Sequence, residues 1–535
     1  MSEGRILKSL LRKLYRILVP ADPVIRTRRF ELMLWAFILS LAYYPWYLGF
    51  LAWFALVRPL MILGRLKGYE LFKAAYSFGF FYMLFTLYWV GLVTPSGMVA
   101  AVVIVALYYT AILMAYSKLY RIKPLYGFIF LPFLWTGLEY FRTISQFAFP
   151  WCDVGYTQAY YLYILQIVSI ISVHGLTFLI ISVNVLLLQI FRHEISAERR
   201  ITACFLSLAI VAALLAYGWA EMPLLLKDGT LKVGILQGSV PIDIKWELEN
   251  QGYSIKRYDS LAGSIADEGA KLMIWPESGA PCFVDAEPRC RDMIGEAVRR
   301  SGTYHLVGAL GTGMVRDERR DFNSCFEFDS TGQVVARYDK MKLVPFSEHV
   351  PYENYFPFLR ADFLFKYLTF MKNYNVQWWS DFVQGDSLHL FKIPQADYGV
   401  LICFESTFPD FVRDMIRKGA GFVVGITNDT WFGSSIGIHM HSRIFVTRAV
   451  ENRCWMARAA NSGMSYIVDP YGRIREHVRH NAITAFTGKV GLLDKYSVFT
   501  DIGDVAGRGS FYVLTALMVI LVAGWIGQRF FKRSF

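Results

Sequence analysis

The sequence predicts a polytopic α-helical membrane bundle joined to a globular α/β domain. Three observations carry that expectation. Hydrophobic residues make up 55% of the 535-residue chain and charged residues only 18%, where average soluble chains carry about 25% charged residues. The apolar surplus is uneven, concentrated in residues 30–220 and again in 511–527. Between them, short β-rich runs alternate with amphipathic stretches, as in α/β domains. The first observation excludes an ordinary soluble protein, and the 16% aromatic content excludes a disordered one. Seven irregularly spaced cysteines without a CxxC pair indicate neither a zinc ribbon nor a disulfide-stapled scaffold.

The N-terminal arm, residues 1–29, comes first. Leu7, Leu10, Leu11, Leu14 and Leu18 recur at helical spacing opposite Arg5, Lys8, Arg12, Lys13 and Arg16. That pattern suits a helix lying on an anionic leaflet; the alternative is a solvated tail. A bilayer core needs about 20 apolar residues per helix. Candidate spans lie at 30–46, 48–64, 72–93, 98–117, 124–144, 160–190, 201–220 and 511–527. The first two are short, and one long tilted helix is the alternative there. Basic charge decides between them, because short cytoplasmic loops collect Lys and Arg. The arm, Arg65/Lys67/Lys73, Lys118/Arg121/Lys123, Arg192/Arg199/Arg200 and Arg529/Lys532/Arg533 all fall on one side only if residues 30–64 hold two spans. The expectation is therefore seven spans in residues 30–220 and an eighth near the end. Both termini are then inside, and residues 221–510 lie outside. Ionisable groups inside spans tend to be functional. Glu139 and Arg142, one turn apart, are expected to pair with each other or meet a lipid headgroup. His174 reads as a hydrogen-bonded bundle residue.

In the insert, β-rich runs fall at 231–236, 271–275, 305–309, 322–328, 334–338, 398–403, 421–426 and 465–468, with helical patterns at 246–268, 287–301, 407–418 and 438–453. Residues 352–383 hold twelve aromatics without a clear period. Long connections of this kind are often functional, and aromatics mixed with basic residues suit a membrane interface. A lid at the bilayer surface is expected there; the alternative is a loop folded over the core.

Three strand ends carry candidate chemistry, as strand C-terminal ends do in α/β sheets. One apolar strand exits through Trp-Pro to Glu277. A run with two prolines holds Lys340, Lys342 and Glu348. A third strand delivers the thiol of Cys403, followed by Phe404 and Glu405. A thiol attacks as thiolate, a carboxylate can take its proton, and an ammonium can hold the oxyanion. The Phe404 N–H is a candidate second oxyanion donor. Spacing does not choose between Lys340 and Lys342, and taken alone a Cys at a strand end is usually a packed apolar residue. Cys282 and Cys290 are close in sequence, and pairing between them is left open. His439 and His441 stand two apart on a helical pattern and so do not face together; they are not read as metal ligands.

In order, Glu277 in WPES, Lys340 in YDKxxLVPFxExVP and Cys403 in ICFE resemble the Glu–Lys–Cys triad of the nitrilase superfamily. The surrounding segments more closely resemble the apolipoprotein N-acyltransferase family. These are FPWCDVGY at 149–156, QGSVP at 237–241 with Trp246, and NDTWFG at 428–433 followed by His439, His441 and Arg448. The resemblance implies a nitrilase-like αββα sandwich seated on the outer face of the bundle, in a multi-pass protein of the bacterial inner membrane. It implies an acyl chain taken from a phospholipid, typically phosphatidylethanolamine, as a Cys403 thioester. The chain then passes to the α-amine of a lipoprotein's N-terminal diacylglyceryl-cysteine. Glu277 is then the base, Lys340 the oxyanion stabiliser and Cys403 the nucleophile. Glu348 and Glu405 match further site carboxylates, and Trp246 a residue near the substrate entrance. No cofactor, metal or nucleic-acid partner is expected. Phe404 stands where Tyr is common, and Ser347 and His349 where Gly and Phe are usual. Two rivals share these residues: a membrane-tethered amidase, whose thioester would be resolved by water, and a catalytically dead binding or transport protein. The intact triad argues against the second.

Overall fold

The computed structural model describes residues 23–192, 195–224, 229–245, 251–352, 355–356 and 382–531. The amphipathic arm up to residue 22, Trp246 and most of the aromatic stretch at 352–383 lie outside the described residues.

Helices Pro23–Leu41, Val57–Gly64, Gly68–Leu87, Pro95–Ile122, Pro124–Phe141, Val168–Ile190, Ala197–Glu221 and Val505–Phe531 make the bundle. Pro95–Ile122 and Pro124–Phe141 each begin at a proline on the first turn, where the missing N–H costs nothing. Thr94 also caps the first of these, accepting from Gly97 N at 3.2 Å. Among the described residues, four helices are long and apolar enough to cross a membrane by length and composition: Gly97–Ile122, Val168–Ile190, Ala197–Glu221 and Val505–Gly524. Residues 30–64 form two segments and not one long helix, because the chain turns after Leu41 and resumes in a 3-10 turn at Gly49–Trp53. The eight-residue helix Val57–Gly64 is well short of the about 20 residues a bilayer needs. The expected span at 160–190 is interrupted: a short helix at Leu162–Leu165 precedes Val168–Ile190, which is itself broken at Ser172, where φ is 64°.

Two sheets form the α/β domain. The strands are β1 Leu231–Gln237, β2 Leu272–Ile274, β3 Ala280–Phe283, β4 Tyr304–Val315, β5 Glu318–Phe328, β6 Val334–Asp339, β7 Phe391–Ile393, β8 Ala396–Ile402, β9 Phe422–Thr427, β10 Met456–Ala460, β11 Tyr466–Val468, β12 Ile474–His477 and β13 Thr484–Val490. The first sheet runs β13-β1-β2-β4-β5-β6 with β3 on β4, and the second β12-β11-β10-β9-β8-β7. Alternation within β1 and β2 shows the layering, since successive side chains face opposite sides of a sheet. Val233, Ile235, Leu272 and Ile274 join the core shared with the second sheet. Leu236, Met273 and Trp275 face Tyr258 and Ile294 of helices Gln251–Ser264 and Pro288–Ser301. Helices Pro409–Arg417 and Ile436–Asn452 cover the second sheet. Their approach is close: a Cβ on Gly425 of β9 would lie 2.3 Å from the Phe445 ring. The order is helix, sheet, sheet, helix.

Buried polar contacts tie this domain to the bundle. Glu451 Oε1 accepts from Val173 N at 2.8 Å, beside the Ser172 break. Arg448 Nη2 donates to the Tyr156 hydroxyl at 3.0 Å, and that hydroxyl reaches Thr407 O at 3.5 Å. Glu139 and Arg142 do not pair, contrary to expectation. Arg142 binds Asp153, while Glu139 accepts from Trp135 Nε1 (3.0 Å), Val154 N (2.9 Å) and Thr177 Oγ1 (2.6 Å). The reason is the loop at 149–156, which folds back into the bundle and supplies nearer partners. His174 is buried between Asp504 and Asp153.

Candidate active site

The site lies where the C-terminal ends of β2, β8 and β9 converge. β2 exits through Trp275 and Pro276 to Glu277. Its Oε2 accepts from Asn428 N, just beyond β9, at 2.9 Å. Its Oε1 accepts from Asn323 Nδ2 at 2.8 Å and lies 3.3 Å from Lys340 Nζ. Lys340 follows β6 and is 1% exposed. Its ammonium is 2.8 Å from Glu348 Oε1, and Glu348 Oε2 accepts from Val344 N at 2.8 Å. Asn323 Nδ2 also donates to Glu348 Oε1, at 3.1 Å. One amide and one ammonium thus hold both carboxylates. Burial alone would lower the Lys340 amine, but Glu348 and Glu277 beside it raise it above the ordinary lysine range. It is a permanent cation. The ambiguity between the two lysines is resolved spatially: Lys342 lies over the rings of Phe408 and Phe411, 5.4 and 6.0 Å from their centroids.

Cys403 follows β8 with φ 51°, a left-handed conformation that is strained for a residue with a side chain. The turn presents its partly buried thiol to Glu277 and Lys340. Burial and then the charge of Glu277 push the thiol up, and Lys340 only partly opposes them. Cys403 therefore rests as a thiol. Phe404 packs between Phe149 and Phe408, with centroids 6.3 and 5.2 Å away. An apolar ring fits where a phenol would have to find a partner.

Glu405 is aimed away from the thiol. Its Oε1 accepts from the Tyr338 hydroxyl (2.6 Å), Met341 N (2.7 Å) and Lys342 N (3.2 Å), and its Oε2 from Ile402 N (2.7 Å). It staples the C-terminal end of β8 to the loop that carries Lys340. Burial lifts its carboxyl to about 7. Reasoning from sequence missed Asn323, which is one of three polar residues, with Ser324 and Glu327, in the buried stretch of β5 and carries no signal that separates it from them. It also missed Lys245, fully buried, whose Nζ donates to Glu277 O at 3.3 Å. Asn428 contributes its backbone N–H, while its side chain accepts from Thr430 Oγ1 at 2.8 Å. Cys282 and Cys290 form a disulfide. Among the described residues no group of three or more His, Cys, Asp or Glu is arranged to hold a metal.

A Glu–Lys–Cys cluster on this sandwich defines the class, and residues 232–486 match the carbon-nitrogen hydrolase family model. Residues 35–186 match the N-terminal domain of apolipoprotein N-acyltransferases. The chain is 32% identical to the apolipoprotein N-acyltransferase of Geobacter metallireducens, over 85% of this chain and 88% of that protein. It is 30% identical to that of Chlorobaculum tepidum, over 79% and 82%. The chain belongs to the apolipoprotein N-acyltransferase family and is an acyltransferase. An amidase structure from Nesterenkonia aligns over 52% of this chain and 95% of its own at 18% identity, with a TM-score of 0.34, too distant to bear on activity.

Proposed function

We propose that the protein N-acylates the N-terminal diacylglyceryl-cysteine of bacterial lipoproteins, using a phospholipid such as phosphatidylethanolamine as donor and Cys403 as the acyl carrier. The single observation behind this reading is the convergence of Glu277, Lys340 and Glu348 on the Cys403 turn, in a chain of this family. Glu277 takes the thiol proton as sulfur attacks the donor's ester carbonyl. The C–S bond forms, Lys340 and the Phe404 N–H hold the oxyanion, and collapse breaks the ester C–O bond. The departing lysophospholipid takes the proton from Glu277. The lipoprotein amine then attacks the thioester, Glu277 accepts the amine's proton, and the C–S bond breaks with the proton returned to sulfur. Two bulky substrates using one site in turn favour such a covalent exchange. Acyl transfer is preferred to amide hydrolysis because a water-soluble amide needs no apolar bundle.

The topology belongs to the same proposal: eight spans, both termini inside, and the catalytic domain on the periplasmic side of the inner membrane. The one-sided basic loops support it. Trp246 near the substrate entrance is proposed on the resemblance to the family alone. The test is intact-protein mass spectrometry after incubation with phosphatidylethanolamine alone. One added acyl chain, removable by hydroxylamine and mapped to Cys403, is expected; a diacylglyceryl-cysteine peptide should discharge it as amide. An acyl group on another residue overturns the mechanism.

A further inference from the structure

We propose that His441, held by Asp429 and Arg458, is a positioning residue that aims the Phe404 N–H at the oxyanion by gripping the Cys403 carbonyl. The inference rests on the reading of Cys403 as nucleophile. His441, Asp429 and Arg458 are each at most 1% exposed. His441 Nδ1 is 2.9 Å from Asp429 Oδ1, and Arg458 Nη2 is 2.7 Å from Asp429 Oδ2. Burial would raise the Asp429 carboxyl, but Arg458 and His441 hold it well below the usual range, so its charge is permanent. With Nδ1–H donating to Asp429 and Nε2–H donating to Cys403 O at 3.1 Å, both ring nitrogens carry hydrogen, and the grip on the carbonyl depends on the Nε2–H. Ser406 Oγ donates to the same carbonyl at 2.9 Å. Trp151 and Phe432 pack on the imidazole, with centroids 5.2 and 6.0 Å away, and shut out water that would compete for it.

The effect on the reaction follows from peptide geometry. The bond between Cys403 and Phe404 is planar and trans, so its C=O and N–H point in opposite directions. Pinning the oxygen from one side fixes the N–H on the other. Without the pin, the peptide could relax out of the left-handed conformation at Cys403, which persists only where its surroundings over-determine it. An oxyanion donor is effective only when it is already in place as charge develops. The buried ion cluster supplies that rigidity without touching substrate.

The experiment uses the full-length protein in detergent and compares two rates at Cys403. One is acyl-enzyme formation from phosphatidylethanolamine. The other is alkylation by iodoacetamide, a displacement at carbon that forms no oxyanion. In His441→Asn the amide can still meet Asp429, but its shorter reach leaves Cys403 O. In His441→Gln an N–H returns to the Nε2 position. His441→Asn is expected to slow acylation by roughly ten- to a hundred-fold, with alkylation changed by less than about threefold. His441→Gln is expected to recover most of the rate. Ser406→Ala leaves the ion cluster whole and should slow acylation in the same direction by a smaller factor. Parallel loss of both rates would mean that His441 merely shapes the thiol's surroundings, and no loss of acylation would mean that the carbonyl needs no grip; either overturns the proposal. Failure of the underlying reading looks different: the unmodified protein would acylate the amine with no adduct on Cys403.

Discussion

Replacing Lys340 by Met removes a cation shared by two buried carboxylates. The side chain is 1% exposed, 2.8 Å from Glu348 and 3.3 Å from Glu277. Breaking a buried ion pair from one side costs about 3–5 kcal/mol, because the partner's charge is left uncompensated. Here two carboxylates lose their cation at once and keep only neutral donors, the shared Asn323 amide and one backbone N–H each from Asn428 and Val344, so the upper end of that range is expected. The pair relieves itself by taking up a proton. A proton on Glu277 disables the base, and the missing ammonium removes an oxyanion donor, a loss that alone costs on the order of a hundred- to a thousand-fold. Acyl-enzyme formation should therefore fall by at least that factor, read by intact mass, while thermal unfolding reads the stability loss. The charge argument makes a second demand. Lys340→Met combined with Glu348→Gln should regain at least about half of the lost stability and none of the activity. The reasoning is refuted if Lys340→Met acylates within about tenfold of the unmodified protein, if Lys342→Met loses as much, or if the double variant is no more stable than the single.

Cys403→Ala should abolish the acyl adduct and Cys454→Ala should keep it. Cys454 is fully buried and has no contact with Glu277 or Lys340 among the described hydrogen bonds and ion pairs, so an adduct missing from both variants would contradict the assignment. Burial also raises Glu405 to about 7 from an ordinary 4.5. The folded state then holds a proton that the unfolded chain releases, so the stability Glu405 contributes is present at low pH and lost as pH rises through about 7. Glu405→Gln does not titrate. The unfolding-temperature advantage of the unmodified protein over it should shrink between about pH 5 and about pH 8, and an advantage that grows would reverse the sign argued here. For topology, a compartment-sensitive reporter fused after Ala220 should be active outside the cytoplasm, and one fused after Arg533 inside. The same compartment for both would rule out eight spans.

The legible parts were those with local physical signatures. β1, β2, β8 and β9 are short apolar runs, and helix Pro288–Ser301 carries its own amphipathic period and proline start. β10, Met456–Ala460, escaped notice because its composition, Met-Ala-Arg-Ala-Ala, lacks β-branched residues; it is a strand because it lies between β9 and β11. β7 and β12 are three and four residues long, below what periodicity registers.

By itself the sequence determined the division into an apolar bundle and an α/β insert, and it named Glu277, Lys340, Glu348 and Cys403. Those features are written in composition, period and short ordered motifs. Tertiary structure alone decided which groups meet. Lys340 rather than Lys342 reaches the carboxylates, Arg142 pairs with Asp153 rather than Glu139, and Glu405 braces the backbone instead of facing the thiol. Asn323 meets Glu277 across 46 residues of chain, His441 meets Cys403 across 38, and Asn428 meets Glu277 across 151. Spacing along a chain specifies contacts only within one helix or strand. Contacts across two sheets and a bundle depend on where strands end, and on which buried charge has a nearer partner once water is excluded.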